Sequence, residues 1–470
     1  MGATSVENPR AGSSARMSAC AQLRAIFLLS PSRAYGEINV AVPLAKGLAD
    51  QRAEVWFLAS PLAARIATRH FPGRVFTMVP NRDVNQVTFW RMVKKYRPNM
   101  VVFSELYEIL QPRRMPECPL VDGQFLSDLD QVEAALVFLD FITHVPALTE
   151  IATCTECASQ FGQATLVRFL KRLRVVLPCP LNEPGDVPGR RGMPYRVRRL
   201  PLRLEAPVRE RVRGRVLGDT KYGSKGILIV RTGSTWQAKL AKEYGVRVYN
   251  HFTELLAAYL RGIRRPVTVV SVSDKQRLAR DRSGKVRVVN VSNLDPLEYQ
   301  RLILSADLVL TDNQIGYTLA TTIGTAVGGV LVNSYEVQDI LQREGYGTRI
   351  SRIVRRIERE CPGSIYPHRI FPLPIDADVA SGEAAERVEH FGPEVVRLGR
   401  MLSSPYVKIE MYGGKRTAEL FHWLLEDPGA RKQLHEQDCA YIGRLNAIED
   451  GPTVLSRAFE GNQAGVHTAW

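Results

Sequence analysis

Short apolar runs alternate with helix-period segments from Arg24 onward, and this alternation restricts the chain to parallel βα units. In the first part, "AIFLL", "EVWFLA", "VFTMV", "MVVFSEL" and "AALVFLDFI" read as strands. The segment beginning near Glu37 reads as a helix whose Ile38, Ala41, Val42, Ala45 and Leu48 share one face. Further helical patterns lie in "PLAARIATRHF" and "NQVTFWRMVKKY". Five strands within about 120 residues are enough for one doubly wound domain. A second series follows, with strands in "GILIVRTG", "PVTVVSVS", "VRVVNVS", "DLVLTDN" and "VGGVLVN". Its helices lie in "STWQAKLAKEYG", "HFTELLAAYLRGI", "PLEYQRLILSA" and "GYTLATTIG". Beyond about Val407 the alternation stops, and "TAELFHWLLED" and "GARKQLHEQDCAYIGRLNAI" read as terminal helices.

The resulting domain plan is a polar tail over 1–22, a first Rossmann-like domain over 23–188, a linker over 189–222 and a second Rossmann-like domain over 223–405. C-terminal helices over 406–458 pack back on the body, and a frayed end covers 459–470. The linker is marked by composition: ten arginines stand between Arg190 and Arg215, against Glu205 and Glu210, interleaved with Pro, Gly and β-branched residues. This stretch carries about half of the formal net charge of +15. It reads as a linker with a short strand, not as a basic recognition helix. Zinc-finger, RRM and basic-zipper signatures are absent, which argues against a nucleic-acid partner. An anionic small substrate is the partner that this charge fits better.

Seven cysteines at irregular spacing read as free thiols in a reducing compartment. Cys154 and Cys157 form a CxxC that Cys118 and Cys179 could complete as a zinc set, although no second CxxC or HxxxH pair exists. The first twenty residues lack the apolar core of a signal peptide, and no apolar run approaches a membrane span. The reading is a cytoplasmic protein without a membrane span, and a homodimer is left open.

Tandem doubly wound domains with a basic linker and a helical tail resemble the GT-B glycosyltransferases. In that family the first helix often carries Gly-His-x-x-Pro, then Leu-Ala, then Gly-His-x-Val. Here Gly36 takes the Gly position, Leu44, Ala45 and Leu48 the helix core, and Glu54 and Val55 the start of the second strand. The departures are Glu37 for His, Val40 for Pro, and Arg52 and Ala53 for the Gly-His pair. The segment "LILSADLVLTDNQIGYTLATTIGTAVGGVLV" resembles the donor-site segment of the family. Asp307 heads the strand, Asp312 and Asn313 occupy the turn, Gly316 and Thr318 open the helix, and Gly324-Thr325-Ala326 stands for Gly-Val-Pro. The resemblance implies an α/β fold of GT-B-like type, two doubly wound domains with a cleft between them. It further implies a UDP- or dTDP-sugar substrate, a small-molecule acceptor and no tightly bound cofactor.

The residues supply candidates for each step of such a reaction. In "RTGSTWQ", Arg231, Gly233, Ser234 and Thr235 end a strand and open a helix, a position suited either to a diphosphate or to an ordinary helix cap. Asp312, Asn313, Gly316 and Thr318 offer a second such position. The acid that the family often places about five residues before Gly324 is Leu319 here; Thr321 and Thr322 are alternative hydroxyl donors. Glu37 follows Gly36 at the family's base position and reads either as a general base or as a first-turn acid stabilised by the helix dipole. In "LVFLDFITHVP", His144 lies past a strand end, with Asp140 placed to orient it. Asp122 in "LVDGQF" and Lys415 in "YGGKRTAEL" are weaker candidates, the first being a turn signal and the second lacking P-loop spacing. No Asp or His cluster suggests a metal, so the expected mechanism is metal-independent.

Three readings follow. The first is an inverting glycosyltransferase acting on a small acceptor in bacterial specialised metabolism. The second is a nucleotide-sugar epimerase or another group transferase, motivated by Leu319. The third is a non-catalytic auxiliary protein, motivated by the loss of His at position 37.

Overall fold

The computed structural model describes residues 22–30, 36–104, 106–110, 118–140, 155–179, 192–197, 206–217, 226–233, 243–245, 247–272, 286–291, 294, 296–312, 317–333, 335–365 and 406–463. Two compact units divide the chain: residues 1–199 with 444–470, and residues 200–443. Each holds one parallel sheet.

The first unit has strands β1 (Arg24–Leu29), β2 (Glu54–Ala59), β3 (Val75–Thr77), β4 (Met100–Phe103), β5 (Ala135–Leu139), β6 (Leu173–Cys179) and β7 (Met193–Arg196). They are ordered β3-β2-β1-β4-β5-β6-β7. Helices α1 (Gly36–Asp50), α2 (Pro61–His70), α3 (Arg82–Tyr96), α4 (Gly123–Asp130) and α5 (Gln163–Arg172) connect them. β1, β2, β4 and β5 are buried almost end to end, as strands covered on both faces must be. The expected strands are all present, and β6 and β7 extend the sheet. β7 lies inside the Arg-rich stretch and forms the sheet edge, where Pro194 removes no ladder donor that the sheet needs.

The second unit opens with α6 (Ala206–Leu217), which is formed by the same Arg-rich stretch. Its strands are β8 (Ile227–Thr232), β9 (Val267–Val272), β10 (Val286–Val291), β11 (Leu308–Thr311), β12 (Val327–Val332) and β13 (Val407–Glu410), ordered β10-β9-β8-β11-β12-β13. The helices are α7 (Arg247–Tyr259), α8 (Pro296–Ser305), α9 (Tyr317–Thr322), α10 (Val337–Glu344), α11 (Arg349–Glu360), α12 (Lys415–Glu426) and α13 (Pro428–Ala447). Both sheets run outward in two directions from their first strand, so each is doubly wound with a switch point beside that strand. The fold class is therefore α/β with two doubly wound units, as expected. The unit boundary falls inside α13, and α14 (Gly451–Gln463) belongs to the first unit. There, Arg196 donates its backbone N–H to the Glu449 carbonyl and its guanidinium to the Asn446 carbonyl. A Cβ on Gly451 would run into Leu44 and Tyr195, which shows how closely the returning segment approaches α1 and β7.

The arginines of residues 190–215 are thus only partly a linker. Arg213 is buried and binds Asp307 Oδ2 at 2.9 Å, while Arg209 binds Oδ1 at 2.8 Å. Arg213 also donates to the Ser305 and Gly226 carbonyls, and the Leu228 N–H donates to Asp307 Oδ2. The acid heading β11 is therefore a structural anchor. Asp307→Ala would leave the Arg213 charge buried without its counter-ion, at a cost of about 3–5 kcal/mol. Chemical denaturation followed by circular dichroism should show that loss.

Arg52 sits at φ 71°, in the left-handed region that ends the turn after α1, where the family pattern has glycine. The Ala53 N–H closes the turn on the Leu48 carbonyl. An L side chain there costs about 1–2 kcal/mol relative to the right-handed region. Arg52→Gly should consequently raise the melting temperature, read by differential scanning calorimetry, whereas Arg52→Val should lower it.

Candidate functional site

In open α/β sheets ligands bind beyond the carboxyl ends of the strands at the switch point. In the first unit that point lies between β1 and β4. Ser104 follows β4, donating both its backbone N–H and its hydroxyl to the Leu28 carbonyl, so the hydroxyl's proton is already used. Gly36 opens α1 and Glu37 fills its first turn. The Glu37 side chain is half-buried, but its Oε2 is sealed from solvent and has no hydrogen-bond partner. Burial raises its carboxyl above the ordinary range, and a hydrogen bond to its own backbone offsets only part of the effect. A first-turn acid serving only the helix dipole would be expected at the surface with both oxygens hydrated.

Asp140 directly follows β5 and is fully buried, with its N–H donated to the Val176 carbonyl. His144 lies outside the described residues. Asp122 caps α4, accepting from the Phe125 N–H at 2.8 Å, and stands 3.3 Å from Arg82. Its role is accounted for locally.

In the second unit the switch point lies between β8 and β11. Thr232 and Thr311 are paired in register, so Gly233 and Asp312 emerge side by side at the carboxyl edge. Asp312 is half-buried and Gly233 exposed. Thr318, in the first turn of α9, has its hydroxyl 2.6 Å from the Tyr299 hydroxyl of α8. Burial pushes the Tyr299 phenol up, and hydrogen bonds with Thr318 and Thr232 pull it partly back. Sequence reasoning did not single out Tyr299 or Thr232; the helical pattern of "PLEYQRLILSA" marks Tyr299 only as a helix residue. Ser234, Thr235, Asn313 and Gly316 lie outside the described residues.

Arg231 is not at this edge. Its buried guanidinium turns onto the face covered by α7, donating to the Thr253 hydroxyl at 3.2 Å and standing 5.8 Å from the centre of the Phe252 ring. The hydroxyls of Thr321 and Thr322 donate to the Tyr317 and Leu319 carbonyls of their own helix, and Leu319 is buried. Those three positions therefore offer a ligand little. Lys415 is exposed and paired with Glu419.

Among the described residues no group of three or more His, Cys, Asp or Glu could hold a metal ion. Cys118 and Cys179 are buried and form no disulfide, whereas Cys154 and the Cys157 side chain lie outside the described residues. No helix among the described residues is long and apolar enough to cross a membrane.

Residues 44–377 match a family of unknown function, DUF6365. No curated protein matches the sequence. Among solved structures, the chain is similar to the spinosyn forosaminyltransferase SpnP, with 13% identity over 94% of this chain and 100% of that one, at a TM-score of 0.48. It is also similar to the glycosyltransferase SnogD from Streptomyces nogalater, with 14% identity, 93% and 98% coverage and a TM-score of 0.46. A third is the glycosyltransferase VinC in complex with dTDP, with 13% identity, 94% and 100% coverage and a TM-score of 0.47.

The burial of Glu37 has a testable sign. Because its folded pKa lies above the unfolded value, the native state holds the proton more tightly, and stability falls as pH rises through the interval between the two values. Glu37→Gln removes that cost. The variant should melt above the wild type at pH 8, and the gap should shrink toward pH 4 when both are followed by calorimetry.

Proposed function

We propose a chemistry for a member of the DUF6365 family, to which this chain belongs: transfer of a sugar from a nucleotide-sugar donor to a small-molecule acceptor. The observation that carries this reading is the sealed, unpartnered carboxylate oxygen of Glu37, at the helix start that follows β1. It stands where the motif resemblance puts the proton acceptor. A carboxyl whose affinity for protons is raised by burial is a better general base than an ordinary one.

In the proposed step, Glu37 accepts the proton of an acceptor hydroxyl or amine. The freed electron pair attacks the anomeric carbon, and the bond from that carbon to the diphosphate breaks with its electron pair leaving on the nucleoside diphosphate. Asp140 and His144 form the alternative base. Gly233, Ser234 and Thr235, together with Asp312, Asn313, Gly316 and Thr318, are assigned to the donor's diphosphate and ribose, as backbone and hydroxyl donors at helix starts. The Tyr299 hydroxyl, held between Thr318 and Thr232, is added to that set.

A second reading has its own support. Leu319 is buried and the neighbouring threonine hydroxyls are used within α9, so the acid expected for an ordinary ribose contact has no substitute there. This favours an unusual donor or an epimerase acting on a nucleotide sugar.

Incubation with UDP- and dTDP-sugars and an acceptor panel, followed by mass spectrometry, separates the readings. The transferase releases nucleoside diphosphate only when an acceptor is present, whereas the epimerase converts the donor alone. Glu37→Gln should lower kcat by about 10²–10⁴-fold with donor affinity kept. Calorimetry showing no affinity for any nucleotide or nucleotide sugar would sink both readings.

A further inference from the structure

A cavity lies at the edge of the second unit's sheet opposite the carboxyl ends, by the amino-terminal ends of β11 and β12, and its volume is about 200 Å³. It is bordered by Arg209 and Asp307, by the turn at Gly324 that ends α9, and by Arg431, His435 and Asp438 of α13. The last three are spaced four and three residues apart, so one face of α13 presents all of them. The volume falls below the roughly 300–1,000 Å³ of sites for drug-sized ligands. A nucleotide sugar is therefore too large for it, and a small ion is not.

The hydrogen bonds decide the sign of that ion. Asp307 is already engaged by Arg209, Arg213 and the Leu228 N–H. Asp438 accepts from the Gly324 N–H at 3.2 Å, and burial pushes its carboxyl up to about 6. Arg209 keeps a buried Nε without a partner. Arg431 is exposed and, among the described residues, donates only to the Leu425 carbonyl, at 3.3 Å, with no carboxylate within ion-pair distance. The guanidinium groups of Arg209 and Arg431 are thus the charged donors that border the cavity, set against one acid, Asp438, that among the described residues is held only by a backbone N–H.

We propose that this cavity is a binding site for a small oxyanion, held by the guanidinium groups of Arg209 and Arg431. Arginine forks present paired N–H groups that match the oxygens of carboxylate, sulfate or phosphate. Asp438 opposes the ion electrostatically while fixing the Gly324 turn. The site is independent of sugar transfer and stands or falls separately from it.

Sulfate is the suitable probe, since its charge is constant across neutral pH. The full chain is titrated with sodium sulfate at pH 7.5, with ionic strength held by sodium chloride, and binding is read by calorimetry. Saturable binding is expected. Arg431→Ala, a change at an exposed side chain, should weaken it about tenfold, the worth of one charge-assisted hydrogen bond. Asp438→Asn keeps an oxygen for the Gly324 N–H and removes the opposing charge, so it should tighten binding. Absence of saturable binding, or an equal affinity in wild type and Arg431→Ala, would overturn the proposal, as would weaker binding by a folded Asp438→Asn.

Discussion

Every strand pair in both sheets is parallel, and this one constraint organises the rest of the structure. A parallel neighbour can be reached only by a crossover, which places helices on both faces and requires the central strands to be apolar throughout. It also sends every strand out at the same edge. The loops there start from a rigid frame whose hydrogen bonds are already complete, leaving their own N–H groups and side chains for chemistry. Gly233 and Asp312 emerge side by side because Thr232 and Thr311 are register partners on the adjacent strands β8 and β11, which two other strands separate in sequence order.

The same logic explains what could be read in advance. Central strands such as "EVWFLA" and "AIFLL" announce themselves because burial on both faces leaves only apolar residues. The edge strands β7 and β13 carry no such signature, although β3 and β10, also at sheet edges, are legible and the inner strand β6 was missed. β7 contains a proline and an arginine, and β13 alternates with charged residues, because an edge needs burial on fewer sides. The Arg-rich stretch misleads for a related reason. Its arginines suggest a solvated linker, yet Arg213 finds a partner 94 residues away, at Asp307, and no local pattern records that pairing.

The placement of the candidate residues was legible to the extent that it follows from strand ends. Gly36, Glu37, Asp140, Gly233 and Asp312 all border a carboxyl edge, as the alternation of strands and helices implies. Side-chain state was not legible. Burial of one Glu37 oxygen depends on how α1 packs, the inward turn of Arg231 depends on strand parity within β8, and the Tyr299–Thr318 contact joins two helices across a strand. The hydroxyls of Thr321 and Thr322 satisfy their own helix, an outcome open to any threonine in a helix interior.

The first unit takes residues from both ends of the chain, and the second is contained within it. During synthesis, therefore, the unit that begins first finishes last. Its core is missing α14 until residues Gly451–Gln463 leave the ribosome, by which time the whole of the second unit has emerged. A premature stop shortly after Gly443 would yield a complete second unit joined to a first one with α1 and β7 uncovered. Quality control would then meet exposed apolar surface on the half of the protein that had been made earliest.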